Sequence, residues 1–162
     1  MPSKYSIKSD LLAPSASKTI EYSGPNPAQV FKIMPDILMD VFRLSSSKIY
    51  EDEVKWDATS DPAAFYCYWR ARDKKDNLTT MWVHVEAKGK QSKDKMGEVR
   101  IKIKGTITTS YKYSIPVMRE LFRLYRLFFY RNQAVKYIED ANKDMEQLEN
   151  AIRTTFDLMR KS

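Results

Sequence analysis

Residues that could carry out acid–base, nucleophilic or metal chemistry are few in this chain. It holds one cysteine, Cys67, and one histidine, His84, which cannot by themselves assemble the usual tetrahedral zinc site. The consecutive acids Glu51, Asp52 and Glu53 offer oxygen ligands, but neighbouring positions of a strand point to opposite faces. They therefore lack the loop geometry that a hard cation needs. We predict no metal site.

Nucleophilic and cofactor chemistry are also thinly represented. Ser45, Ser46 and Ser47 form a run, but a serine triad would have to recruit His84, the only histidine, as its base. The glycines at positions 24, 89, 97 and 105 are scattered, whereas phosphate-binding loops need closely spaced glycines. We predict no catalytic residue and no cofactor, and we interpret the protein as one that binds a partner non-covalently.

Residues 63–113 alternate in polarity with a period of two, which is typical of β-strands. Two runs flank the polar turn DKKDN and predict an antiparallel hairpin, and a third run follows the loop KGKQSKDKMG. Gly105 lies in the third run and predicts a bulge or a bend. One face of this sheet is apolar and must be covered. It carries Phe65, Cys67, Trp69, Met81, Val83, Val85, Val99, Ile101, Ile103 and Ile107.

The opposite face of the same sheet carries aromatic rings interleaved with cations. Bases of single-stranded nucleic acid stack on such rings, and Lys and Arg side chains contact the phosphates. A solvated face, in which aromatic pairs across neighbouring strands stabilise the sheet, explains the same pattern. The candidate nucleic-acid-binding residues are Tyr66, Tyr68, Arg70, Arg72, Trp82, Arg100, Lys102 and Lys104, with His84 and Lys88 on the same face.

The sequence before residue 63 carries strand signals near its start and predicts two short helices and then a further strand. The runs KYSIK and KTIEY favour strands and are separated by the turn-like stretch DLLAPSAS. Apolar residues between positions 30 and 42 recur at three-and-four spacing, which predicts a helical apolar face. Because Pro35 removes a helical hydrogen bond inside this segment, we expect two helices in series. The run KIYEDEVKWD predicts the next strand.

From Pro116 to the last residue the sequence predicts helix, with no glycine or further proline. A continuous helix of about 46 residues would be roughly 70 Å long, so we expect it to bend or to project, with residues 141–162 as the candidate extension. The simplest cover for the apolar sheet face is the stripe Val117, Leu121, Leu124, Phe128 and Ile138.

Two further interpretations of this helix stay open. Residues 138–159 place Ile138, Ala141, Met145, Leu148, Ile152 and Met159 at heptad positions, which favours either packing on the chain's own sheet or a helical partner. The segment RELFRLYRLFFYR mixes arginines with phenylalanines. Such a segment suits an anionic membrane surface, and a helix buried by the sheet with its arginines reaching outward explains it as well.

Composition predicts one soluble domain spanning residues 1–162. The formal charge is +7, and residues 88–113 hold eight Lys or Arg against two acids, which suits nucleic acid, anionic lipid or an acidic protein, or solubility alone. The single cysteine and the absence of an apolar run near the N-terminus predict a cytoplasmic protein. Because the densest apolar stretch is cut by arginines, we expect peripheral contact with a membrane at most.

The order of elements, a strand, two short helices, a run of antiparallel strands and a long C-terminal helix, resembles the helix-grip architecture of the SRPBCC superfamily. That superfamily includes the START lipid-transfer domains and the birch-pollen-allergen-like proteins. The resemblance covers residues 4–140 and extends to small archaeal members with no assigned activity, through EVKWD, FYCYWRAR, GKQSKDKMGEVRIKIKG and FFYRNQ. It implies an α+β fold whose curved sheet grips the helix around an apolar cavity used for lipids, sterols or other hydrophobic molecules. No catalytic residue of the family maps onto this sequence.

The leading functional hypothesis is non-catalytic binding of a hydrophobic or lipid-like molecule between the sheet and the C-terminal helix. Apolar burial, rather than reaction chemistry, would hold such a ligand. The alternative is a basic nucleic-acid-binding or ribonucleoprotein-associated module that uses the aromatic and cationic sheet face. The predicted pocket residues are Phe65, Trp69, Met81, Val83, Ile101, Ile103, Leu121, Tyr125 and Phe128.

Overall fold

The computed structural model describes residues 3–12 and 15–161. Within these ranges the chain forms six strands and three α-helices: β1 (Ser3–Asp10), β2 (Lys18–Pro25), α1 (Val30–Phe42), β3 (Ile49–Asp57), β4 (Ala63–Lys74), β5 (Thr79–Gln91), β6 (Met96–Tyr113), α2 (Pro116–Tyr125) and α3 (Arg131–Lys161). Short 3₁₀ turns precede α1 and β3, and a π-helical turn, Arg126–Tyr130, joins α2 to α3.

The strands form one curved antiparallel sheet in the order β1-β6-β5-β4-β3. β6 is the shared partner of the two N-terminal strands, because β2 pairs with its first half, residues 96–103, and β1 with its second half, residues 106–113. The predicted hairpin and third run are β4, β5 and β6. The structure thus confirms the α+β class and a curved sheet packed against a long C-terminal helix.

The first helix is continuous where two short helices were expected. α1 runs through Pro35 from Val30 to Phe42. Its buried residues follow one another at intervals of four, which places them on a single helical face turned toward the core; they are Val30, Met34, Leu38 and Phe42. Burial of that whole face stabilises one helix enough to offset the backbone hydrogen bond that Pro35 cannot make.

The long helix covers the sheet with its C-terminal half, whereas the sequence favoured its N-terminal half and left residues 141–162 as an extension. The residues of α3 that are buried in the main core are Ala141, Met145, Leu148, Ile152 and Phe156. A β-carbon at Gly105 would lie only 2.8 Å from the sulfur of Met145, so this glycine lets α3 approach β6 closely. The heptad face is therefore occupied by the chain's own core.

The junction between α2 and α3 is fastened to the β4–β5 loop by a hydrogen-bonded chain. The Tyr130 hydroxyl donates to Asp76 over 2.5 Å and lies 2.6 Å from the Thr79 hydroxyl, which in turn lies 3.0 Å from that of Thr109. Because Tyr130 donates its single proton to the carboxylate, it accepts from Thr79. The π-helical turn thus directs Tyr130 toward the β4–β5 loop.

Candidate functional site

The nine residues predicted to line one apolar cavity lie in two separate places. Phe65, Trp69, Met81, Val83, Ile101 and Ile103 are buried in the core, where they pack with the side chains of α1 and α3. Leu121, Tyr125 and Phe128 are exposed on the segment that precedes α3. The two groups lie apart because the C-terminal half of the long helix covers the inner sheet face. These residues therefore do not form one pocket.

A cleft of about 560 Å³ opens at the end of the sheet where β4 begins and β5 ends. We call it the end cleft. Tyr22, Val99, Gly89 and Phe65 pair in register across four neighbouring strands and contribute its apolar part. Its lining residues are Glu21, Tyr22, Ser23, Ala64, Phe65, Lys88, Gly89, Lys90, Glu98, Val99, Arg100 and Arg160.

Gly89 shapes the apolar part of the end cleft. A β-carbon added there would lie 2.6 Å from the tip of the Phe65 ring and 2.3 Å from the carbonyl oxygen of Glu98. The missing side chain therefore lets the Phe65 ring lie against the strand. Phe65 also stacks on Trp56, with ring centroids 5.9 Å apart. An aromatic wall thus continues from the cleft toward β3.

The opposite wall of the end cleft joins β2 to the last turn of α3. The Tyr22 ring stacks on Phe156, with centroids 4.6 Å apart, and the Arg160 guanidinium lies 5.3 Å from its centre. Burial raises the pKa of Tyr22, and the charge of Arg160 partly offsets this. The tyrosine hydroxyl donates to the Pro25 carbonyl over 2.7 Å. Tyr22 is thus a neutral, fixed ring at neutral pH.

The rim of the end cleft has a surplus of positive charge. Lys88, Lys90, Arg100 and Arg160 face two acids, Glu21 and Glu98. Arg100 and Glu21 form an exposed ion pair at 2.8 Å. Within the part of the chain that the structure describes, neither Lys88 nor Lys90 has an ion-pair partner. Two lysines at the rim are therefore free to meet an anionic group.

The outer sheet face brings the eight predicted nucleic-acid-binding residues onto one surface. The register places Arg70, His84 and Lys104 in one row, and Tyr68, Glu86 and Lys102 in the next. Lys8 of β1, which the sequence analysis did not include, joins Lys102 and Lys104 around a hollow of about 340 Å³. Only the pairing of Lys8 with Thr108 reveals this neighbour, because nothing in the sequence links β1 to β6.

Two rings of the outer face are already covered by the protein's own arginines. Arg70 lies between Tyr50 and Trp82, 5.6 Å and 5.3 Å from their centres, and Arg72 lies 5.9 Å from the same indole. Arg70 is also held by a bidentate contact with Asp52. These stacks occupy ring surfaces that nucleic-acid bases would need.

The groups with acid–base potential are held in unreactive states. Burial lowers the pKa of His84, and the charges of Arg70, Lys104 and Lys8 add to this, so the imidazole is neutral at neutral pH. Burial raises the pKa of Cys67 to about 12, and nearby Glu51 adds to the increase. The thiol is therefore protonated and a poor nucleophile. Among the described residues, no cluster of His, Cys, Asp or Glu is arranged to hold a metal ion.

The segment from Ile115 to Phe129 displays apolar and aromatic side chains to solvent. We call it the α2 surface. Its exposed residues are Ile115, Val117, Leu121, Leu124, Tyr125, Leu127, Phe128 and Phe129. The alternative in which the sheet buries this segment does not hold, because only Phe122 of α2 is buried. No helix in the described ranges has the length and apolar character needed to cross a membrane.

Comparisons with known proteins give no family. No family model matches the sequence, and no curated protein matches it closely enough to count as a relative. A solved structure of a protein of unknown function from Staphylococcus aureus is similar over 94% of this chain and 98% of its own, with 7% identity and a TM-score of 0.27. A putative uncharacterized protein from Rhizobium leguminosarum is similar over 90% and 95%, with 9% identity and a TM-score of 0.22. At these TM-scores neither likeness supports a statement about this chain.

Proposed function

We propose that the protein binds, without catalysis, a lipid-like molecule that carries an anionic group, and that the end cleft holds it. The observation that carries this proposal is that one cleft is lined both by two buried rings, Tyr22 and Phe65, and by two lysines without an ion-pair partner, Lys88 and Lys90. Its volume of about 560 Å³ falls within the range of small-molecule sites. The ligand class matches the leading hypothesis from the sequence, but the site differs: of the nine predicted residues, only Phe65 lines this cleft.

Binding in the end cleft can be divided between its two parts. The apolar chain would displace water from the cleft, and the anionic head would meet the lysine ammonium groups. Uptake would therefore weaken with salt only in part, because the apolar contribution is not screened. An uncharged chain would bind less tightly than the corresponding carboxylate.

The test is a fluorescence titration with 1-anilinonaphthalene-8-sulfonate, an amphipathic anion, followed by displacement with oleate. We expect Lys88→Glu/Lys90→Glu to weaken oleate binding by at least about tenfold, because two charge-assisted contacts become repulsive. The matched control, Lys102→Glu/Lys104→Glu, changes the net charge equally at residues outside the cleft. Native mass spectrometry of the gently purified protein would register a ligand that it already carries.

Two results would contradict this proposal. One is equal oleate affinity for the parent and for the cleft variant. The other is a parent protein that neither carries a ligand nor binds either probe.

The outer face supports a second candidate, binding of single-stranded nucleic acid. The observation in its favour is the hollow in which Lys8, Lys102 and Lys104 converge, and the arginine-covered rings count against base stacking. Titration with a fluorescent oligonucleotide at several salt concentrations distinguishes the candidates. Affinity that falls steeply with salt, and that drops further in Lys102→Glu/Lys104→Glu, would favour nucleic acid.

A further inference from the structure

The α2 surface is held to the rest of the domain by two buried aromatic residues, Phe122 and Tyr130. Phe122 packs between Tyr5 and Tyr111, with ring centroids 5.9 Å and 4.4 Å away. Tyr130 holds the other end through Asp76. The two anchors fix the orientation of α2 and of the π-helical turn relative to the sheet, so the exposed side chains between them are presented in a defined arrangement.

The exposed side chains form an apolar stripe. Val117, Leu121 and Leu124 recur at the four-and-three spacing of one helical face, and all three are at least half exposed. The π-helical turn then adds Phe128 and Phe129, whose side chains are 74% and 78% exposed. Large contiguous apolar surfaces of this kind mark sites of interaction with another molecule or with a membrane.

The charge of the same segment selects among possible partners. Arg119, Arg123, Arg126 and Arg131 are opposed by a single acid, Glu120. The pair between Glu120 and Arg123 is long, at 3.8 Å, and exposed. Two copies of this segment packed together would bring like charges close to one another, which opposes a symmetric dimer. An anionic surface matches it.

We propose that the α2 surface docks the protein onto an anionic phospholipid bilayer, with Phe128 and Phe129 entering the interface and the exposed Arg123 and Arg131 contacting lipid phosphates. The segment has the features of an interfacial helix, an exposed apolar stripe with aromatic residues and a basic polar side. Phe128 and Phe129 lie beside Leu127, which is also half exposed. The π-helical turn therefore presents three neighbouring apolar side chains to solvent. This inference does not rest on ligand binding in the end cleft.

The test is co-sedimentation of the full chain with large vesicles. We expect binding to phosphatidylcholine vesicles that contain phosphatidylglycerol and little binding to phosphatidylcholine alone. Phe128→Glu/Phe129→Glu should abolish binding. Its matched control, Val54→Glu/Leu158→Glu, places the same two charges at exposed apolar positions elsewhere and should bind like the parent.

A second pair of variants tests the contribution of the positive charges and introduces no negative charge. Arg123→Gln/Arg131→Gln should weaken binding to the anionic vesicles by about tenfold or more, since each surface cation adds to attraction by anionic lipid. Lys102→Gln/Lys104→Gln removes the same charge from the outer sheet face and should have a smaller effect. Circular dichroism confirms that each variant is folded.

Three outcomes would overturn the inference. The first is parental binding by folded Phe128→Glu/Phe129→Glu. The second is equal binding to neutral and anionic vesicles. The third is a parent that binds neither vesicle type. If that parent is also a dimer by light scattering and Phe128→Glu/Phe129→Glu converts it to a monomer, the α2 surface joins two copies of the chain. Loss of oleate binding in the cleft variant leaves these measurements unaffected, so the two proposals fail separately.

Discussion

Two glycines of the sheet show how a single missing side chain can serve different neighbours. At Gly89 the space is bounded by the backbone of β6, with the Glu98 oxygen 2.3 Å and the Val99 α-carbon 2.9 Å from a hypothetical β-carbon. At Gly105 the nearest atoms belong to the ends of flexible side chains, those of Met145 and Leu11. A side chain can move aside, whereas a paired strand cannot move without losing hydrogen bonds.

We therefore expect Gly89→Ala to destabilise the protein more than Gly105→Ala. Overpacking of a core typically costs about 1–3 kcal/mol, and Gly89→Ala should lie at or above the upper part of that range. Gly105→Ala should cost less because the Met145 thioether can adopt another rotamer. Urea denaturation of both variants measures the difference in the free energy of unfolding. An equal loss would show that α3 is as rigidly placed as β6.

At the scale of elements, the π-helical turn connects an exposed helix to a buried one. Burial tends to raise the pKa of Asp76, but hydrogen bonds from Tyr130 and from the backbone of Leu78 and Thr79 hold it below its ordinary value of 3.8. Burial raises the pKa of Tyr130, and the hydrogen bond to the same carboxylate adds to the increase. The charged acid and the neutral phenol thus favour each other in the folded state.

Tyr130→Phe should lower the free energy of unfolding by about 1–2 kcal/mol at neutral pH, because Asp76 loses a donor. Since the folded-state pKa of Asp76 is depressed, its contribution is present above its ordinary pKa of 3.8 and is lost as pH falls through the folded value. The variant should consequently show a shallower loss of stability on acidification than the parent. Urea unfolding across that pH range checks this.

Tyr125→Phe is the matched control for this prediction. Its ring lies on α2 and is exposed, and its hydroxyl makes no hydrogen bond within the described ranges. We expect the stability of this variant to match that of the parent at each pH. A comparable loss in both variants would contradict the role given to the contact with Asp76, because the exposed Tyr125 hydroxyl does not make that contact.

At the scale of the whole molecule, α3 is part of the core of the sheet and not an appendage. Met145, Leu148, Ile152 and Phe156 are each at most 2% exposed. Removing one large apolar side chain from a core typically costs about 2–5 kcal/mol. Four such losses together come to about 8–20 kcal/mol, which matches or exceeds the total stability of about 5–15 kcal/mol that a domain possesses.

A chain that ends after Asn142 should therefore be unfolded. Circular dichroism of the truncated chain should show loss of the strand signal together with the helix signal, because the inner sheet face has lost its cover. If the tail served only as a coiled-coil partner, the truncated chain would remain a folded monomer with its sheet intact. That result would contradict the placement of α3.

The sequence predicts the sheet better than it predicts the helix that covers it. Strict alternation, as in the run from Phe65 to Ala71, assigns each side chain to a face with no further information. Both halves of the long helix carry apolar stripes at helical spacing, as Leu121 and Leu148 illustrate, and periodicity cannot say which stripe is buried. Which stripe is buried depends on where the sheet leaves space for a helix, as it does next to Gly105. That space is known only once the strands are paired.

The end cleft was missed for a related reason. Its residues come from five segments, represented by Glu21, Ala64, Lys88, Glu98 and Arg160, and only the paired strands and the packing of α3 bring them together. The alternation did place Phe65 and Val99 on the inner face. Gly89, which lies between Phe65 and Val99 in the sheet, was the one local sign of the cleft. A single glycine in a sequence does not distinguish a cleft wall from a turn.

The position of β6 sets the order in which the strands can pair. β1 and β2 precede β3, β4 and β5 along the chain, yet both pair with β6, as when Ser3 meets Tyr113. During synthesis neither strand has this partner until β6 has been made, whereas β3, β4 and β5 can form a meander as they emerge. The apolar face of that meander packs on α3, which follows all six strands along the chain. A nascent chain thus exposes this face until α3 has been made, which makes it a substrate for chaperones.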